Sequence, residues 1–103
     1  MERLITIYWR DIPSRVVGRR GLKSLVKRTL DARFHRAIER ASRRAGGGSS
    51  KKYLEDWRRV SQPCSSDLER AVTEQVANLE GQFPPDFLER VVRAAGIIPK
   101  DEG

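Results

Sequence analysis

A chain of 103 residues has room for one domain and one hydrophobic core. An apolar fraction of 38% and the lack of any run near ~20 apolar residues exclude a helical membrane span, and a single cysteine (Cys64) and a single histidine (His35) exclude an internal disulfide or a zinc or iron site of several Cys and His ligands. The net charge of +7 is divided: residues 1–60 carry 17 Lys and Arg against 6 Asp and Glu, and residues 61–103 carry 4 against 8, so a basic front precedes an acidic rear.

Residues 3–9, Arg-Leu-Ile-Thr-Ile-Tyr-Trp, are rich in β-branched and aromatic side chains and predict a strand. Leu4, Thr6 and Tyr8 share one face and Ile5, Ile7 and Trp9 the other. Apolar residues on both faces call for cover on both sides, or for a partner on one. Asp11-Ile12-Pro13-Ser14 ends the pattern, because Pro13 fixes its own φ and biases Ile12 to extended backbone. Residues 15–18 predict a second short strand, with a turn at Arg19-Arg20-Gly21. Residues 22–29 fit a third strand or the start of a helix, and the strand is preferred.

From Asp31, an N-cap, the pattern is helical. Phe34, Ala37, Ile38, Ala41 and Ala45 recur at helical spacing, Gly46 stands at the C′ position, and Arg33, Arg36, Arg40, Arg43 and Arg44 cover the remaining circumference. Residues 47–50 read as a Gly/Ser linker. Tyr53, Leu54, Trp57 and Val60 predict a second helix over about residues 50–60. Ser66-Asp67-Leu68-Glu69 matches a capping box that opens a third, with Leu68, Val72, Val76 and Leu79 inside and Gly81 and Pro84-Pro85 as the stop. A fourth opens at Pro85-Asp86 and buries Phe87, Leu88, Val91, Val92 and Ala95, and residues 100–103 form a tail. The expected fold is a single α+β domain. A two- or three-stranded antiparallel sheet packs on the first helix in a basic part over 1–46, and a helical part follows over 51–99, its last two helices forming a hairpin.

No catalytic constellation is visible, so the expectation is a non-enzymatic protein with no cofactor and no metal. Glu55 and Asp56, on adjacent positions of a helix, point about 100° apart and are poorly placed for joint acid–base work. Cys64 and His35 lack a third, orienting group. Gly18-Arg19-Arg20-Gly21 and the Gly46–Lys52 run both miss the spacing of a phosphate loop. What remains is the basic cluster: Arg15, Arg19, Arg20, Lys23, Lys27 and Arg28 near the hairpin, and the arginines of the first helix. The guanidinium fork suits carboxylates and phosphates. Three readings stay open: a face solvated or neutralised by the chain's own acidic helices, a face for an acidic protein, and a nucleic-acid face on which Tyr8, Trp9 and Trp57 stack bases. The expected contact residues are Trp9, Arg10, Arg19, Arg20, Arg36, Arg40, Arg43, Arg44 and Trp57, with Trp9 and Trp57 as aromatic anchors. Within Tyr8–Pro13, a purely structural use competes with that role. Self-association of the oppositely charged halves is a further alternative, and no membrane contact is expected. The N-terminus lacks a secretory apolar run, so the expected compartment is the cytoplasm.

The run Ile7-Tyr8-Trp9-Arg10-Asp11-Ile12-Pro13, followed by Val16-Val17, Gly18-Arg19-Arg20-Gly21, Phe34–Ala41, Arg44-Ala45-Gly46 and Tyr53–Arg59, resembles the small bacterial virulence factor domain family over about residues 4–60. Arg15 departs from the glutamine common in that family. The resemblance implies an adaptor or accessory subunit, associated with folate- and corrinoid-dependent methyl transfer in one-carbon metabolism, and it carries no catalytic residue. The helices over 66–96 are expected to fall outside it.

Overall fold

A computed structural model describes residues 1–46 and 50–99. The order of elements is β1 (Glu2–Trp9), β2 (Ile12–Arg20), β3 (Lys23–Thr29), α1 (Ala32–Arg44), α2 (Ser50–Glu55), β4 (Trp57–Pro63), α3 (Leu68–Gln82) and α4 (Pro85–Arg93). The strands form one four-stranded antiparallel sheet in the order β3-β2-β1-β4, and the class is α+β as expected. The linker at 47–49 and the tail at 100–103 lie outside the described residues.

Two features correct the expected layout. The second helix ends at Glu55, and Trp57–Pro63 turns into an edge strand paired with β1, from Trp57 opposite Trp9 to Pro63 opposite Arg3. The part over 51–99 is therefore not wholly helical. In addition, the helix that mainly covers the sheet is α3, which packs on β2, β3 and β1, whereas α1 packs chiefly on α4. Gly18 sets how closely α3 approaches: a Cβ there would stand 3.0 Å from Val72 Cγ2 and 3.3 Å from Leu68 Cβ. Gln75 of α3 donates to the buried Thr6 hydroxyl at 3.1 Å, which fixes Leu4 and Thr6 as the helix-facing side of β1.

The local signals for the remaining elements act as read. Asp31 accepts from the Arg33 amide to cap α1, whose Phe34, Ala37, Ile38 and Ala41 are buried. At α3 the cap is Asp67, one residue later than the capping box implied, and it accepts from the Arg70 amide. The preceding loop bonds the Arg20 guanidinium through the Ser66 carbonyl. Pro85 occupies the first turn of α4. Beyond α4 the chain folds back over the β1–β2 turn. There Gly96, at φ +91°, lies so close to Trp9 that a Cβ would stand 2.7 Å from its ring.

Replacing Gly96 by alanine adds both a left-handed backbone cost and a clash with an immobile, buried indole. Gly96→Ala should therefore destabilise the protein by about 2–4 kcal/mol, read as a lower urea midpoint at unchanged slope.

Candidate docking face and adjoining cleft

Strand alternation determines what the side of the sheet away from α3 presents. Ile5 lies opposite Val17, Ile7 opposite Arg15 and Arg3 opposite Arg19 across β1 and β2. Val17 faces Lys27 on β3, and Ile7 faces Arg59 on β4. Opposed residues of antiparallel strands share a face. The outer face therefore carries an apolar strip of Ile5, Ile7 and Val17 ringed by Arg3, Arg15, Arg19, Lys27 and Arg59. The strip is a separate cluster from the main core, extended by Trp57, and no described helix packs across it. Its side chains are only 8–9% exposed and are bordered by Arg15, Arg19, Lys27 and Arg59, whose long side chains can cover apolar surface while keeping their charge outward.

None of the ring cations has a carboxylate partner among the described residues. Arg3 Nε donates to Ser61 Oγ at 2.7 Å, an Arg19 terminal nitrogen donates to the Leu22 carbonyl at 3.2 Å, and Arg19 Nε is buried without a partner. The strands contain one carboxylate, Glu2. It lies on the helix-covered face and is paired with Arg20 at 2.9 Å.

The contact residues expected from sequence are divided by the fold. Trp9 is 1% exposed, a core residue and not a surface anchor, because its indole is held between Gly96 and Tyr53 and donates to the Tyr53 carbonyl at 3.0 Å. Arg10 is drawn into the interior of the turn described below. Arg20 is paired with Glu2. Arg40 forms a fork-on-fork pair with Glu89 at 2.7 and 2.8 Å, and this hydrogen-bonded guanidinium holds the Glu89 carboxyl below its ordinary value. Arg43 pairs with Glu39 one turn earlier on the same helix. Arg36 and Arg44 are exposed on α1, away from the sheet face. Of the expected set, Arg19 and Trp57 belong to the open face. Arg3, Arg15, Lys27 and Arg59 had to be found from the register of the sheet.

Tyr8–Pro13 forms a knot. Arg10 occupies the first position of the two-residue turn between β1 and β2 with φ +53°, a conformation that favours glycine. Its guanidinium is paired with Asp56 at 3.1 Å and donates to the Ala95 carbonyl at 2.9 Å. Asp11 receives the Ile98 amide at 2.7 Å on its carboxylate, and its own amide donates to the Gly96 carbonyl at 2.8 Å. Arg58 donates to the Arg10 carbonyl at 2.9 Å and lies over the Tyr8 ring.

At the Trp57 end the open face deepens into a cleft of about 570 Å³ between the sheet, α1 and α2. Ile7 and Ile38 line it together with Tyr53 and Trp57, whose rings meet edge to face. Ser14, Arg15 and Arg59 contribute polar groups, and His35 and Glu39 of α1 stand on the opposite wall. Cys64 lies at the far end of β1, its amide bonded to the Glu2 carbonyl, and it is not among the residues that line the cleft with His35. Burial raises the Cys64 thiol, the opposite of what an activated nucleophile needs. Among the described residues there is no group of three or more His, Cys, Asp or Glu placed to hold a metal.

The family model described as Virulence factor matches residues 7–92. The match runs well past residue 60, so α3 and most of α4 are part of the family pattern, contrary to the expectation that they fall outside it. No curated protein and no solved structure matches the chain.

Truncating Arg10 leaves the Asp56 carboxylate and the Ala95 carbonyl short of a donor in a partly buried site. Arg10→Ala should cost about 2–4 kcal/mol in denaturant unfolding. Arg10→Gly should be more stable than Arg10→Ala by about 1 kcal/mol, the reverse of the usual ranking, because glycine relieves the positive φ.

Proposed function

The chain belongs to the virulence factor family, and we propose that it is a non-catalytic docking subunit that grips an acidic protein through the open face of its sheet. One observation carries the reading. Arg3, Arg15, Arg19, Lys27 and Arg59 ring an apolar strip, no described helix covers it, and no described carboxylate neutralises the ring. The same chain pairs Arg10, Arg20, Arg28, Arg33, Arg40, Arg43, Arg58, Arg70 and Arg93 with its own acids. Lys23, Arg36, Arg44 and Arg90 also lack ion pairs among the described residues, and what sets this face apart is that its unpaired cations surround apolar side chains, which suits it to an acidic protein surface.

A protein fits this face better than a nucleic acid. Strand-binding sheets offer exposed aromatic rings to successive bases. Here the centre of the face is aliphatic, Trp9 is buried, and Tyr53 and Trp57 are engaged with each other at one end. An aliphatic strip inside a cationic ring matches a protein surface in which apolar side chains are framed by Asp and Glu. The family association with folate- and corrinoid-dependent methyl transfer makes a methyl-transfer complex the first place to seek that partner.

Charge reversal tests the reading. Tagged wild-type chain should retain a specific acidic protein from native lysate, with cross-links from Lys27 to it. Arg15→Glu/Arg59→Glu should weaken the purified complex by at least about 30-fold, and Arg36→Glu/Arg44→Glu by less than about 3-fold. Equal losses from both pairs would refute the face. Tight binding of single-stranded DNA with a steep log–log salt slope would replace the protein partner by nucleic acid.

A further inference from the structure

We propose that the cleft between the Trp57 end of the sheet and α1 is a binding site for a small organic anion, a carboxylate carried on a flat apolar body. Its volume, about 570 Å³, lies within the ~300–1,000 Å³ of small-molecule sites. The lining is divided about evenly between apolar and polar surface, which suits a ligand with one apolar and one charged end. Ile7 and Ile38 are buried aliphatic surface, and Tyr53 and Trp57 supply aromatic surface at the right scale for a ring.

The polar groups converge on an anion. Ser14 is 4% exposed and lines the cleft, and its hydroxyl has no hydrogen-bond partner among the described residues. The other buried hydroxyl, Thr6, is by contrast taken up by Gln75. A hydroxyl that borders the cleft and is not taken up by the fold can donate to a bound acceptor. Arg15 and Arg59, on neighbouring strands to either side of Ile7, border the same cleft without carboxylate partners among the described residues. A carboxylate seated there accepts from the Ser14 hydroxyl and from guanidinium groups on two sides, while its apolar body lies against Ile7, Ile38 and Trp57. Glu39, held by Arg43, stands on the opposite wall and disfavours a multiply charged group such as a polyphosphate.

The site needs no protein partner, so it stands or falls separately from the docking reading, although Arg15 and Arg59 serve both. The probe is 2-naphthoate, titrated into the full chain and followed by amide and indole resonances. Saturable shifts should be confined to Ser14, Arg15, Ile38, Tyr53 and Trp57, with a dissociation constant of about 1 mM, typical of a fragment. Arg59→Gln and Ser14→Ala should each weaken binding about 3- to 10-fold, and the neutral analogue 2-naphthalenemethanol should bind at least about 10-fold more weakly. Arg3→Gln and Lys27→Gln, which lie outside the cleft, should leave naphthoate binding unchanged while weakening the protein complex. The proposal is overturned by shifts that do not saturate or are scattered over the surface. Equal binding of the neutral analogue overturns the anion, and inorganic phosphate matching naphthoate overturns the apolar body. A folded Arg59→Gln variant, verified by its unchanged spectrum away from the cleft, that binds as wild type overturns the assignment of the guanidinium.

Discussion

The turn at Arg10 and Asp11 is the constraint on which the other elements depend. Two residues join β1 to β2, and the same two residues bind the α2–β4 junction through Asp56, β4 through Arg58 and the segment beyond α4 through Ala95, Gly96 and Ile98. Elements up to 87 residues apart in sequence meet there. The backbone adopts a positive φ at Arg10 with no glycine to ease it. A cost of about 1–2 kcal/mol is tolerated because the guanidinium satisfies a carboxylate and a carbonyl that would otherwise be stranded. Trp9 is pinned beside it by Gly96 and Tyr53, which closes the main core at that end of the sheet.

That knot explains the uneven charge of the molecule. Cations that hold elements together are matched one by one: Arg10 to Asp56, Arg28 to Glu69, Arg40 to Glu89. Two of these pairs link the basic front of the chain to its acidic rear, so self-neutralisation accounts for part of the charge, with Arg36 and Arg44 of α1 left without an ion pair among the described residues. Self-neutralisation fails on the outer side of the sheet. The strands hold one carboxylate, and alternation places it on the wrong face to reach Arg3, Arg15 or Arg59. Five unpaired cations therefore gather on that side through strand register, which composition does not reveal.

Most of the fold was legible in the sequence, for identifiable reasons. β1, β2, α1, α3 and α4 each bury one or both faces, so their apolar periods of two or about 3.6 are enforced by the core, whereas β3 is an exposed edge strand whose residues fit a strand or a helix. β4 was not legible. From Arg58 to Pro63 it is exposed, it pairs on one side only with β1, and no burial imposes alternation on it. Tyr53, Leu54, Trp57 and Val60 happen to fall at helical spacing, and pairing with β1 overrides that local pattern. The open face of the sheet was half legible. Apolar residues on both sides of β1 announced that Ile5 and Ile7 require cover, but the arginines around them become a ring through the register of four strands. Counting arginines pointed instead to α1, where Arg40 and Arg43 are engaged by Glu89 and Glu39.

The open strip also shows how one set of side chains serves two states. An apolar sheet face left bare invites aggregation. Here Arg15, Arg19, Lys27 and Arg59 border Ile5, Ile7 and Val17, which are left only 8–9% exposed. On the proposed reading, an acidic surface would draw the cationic heads to its carboxylates and uncover the strip, so that charge neutralisation and apolar contact would occur together. The cost would fall chiefly on side-chain freedom, and a face of this kind would discriminate for partners that supply both carboxylates and an apolar centre.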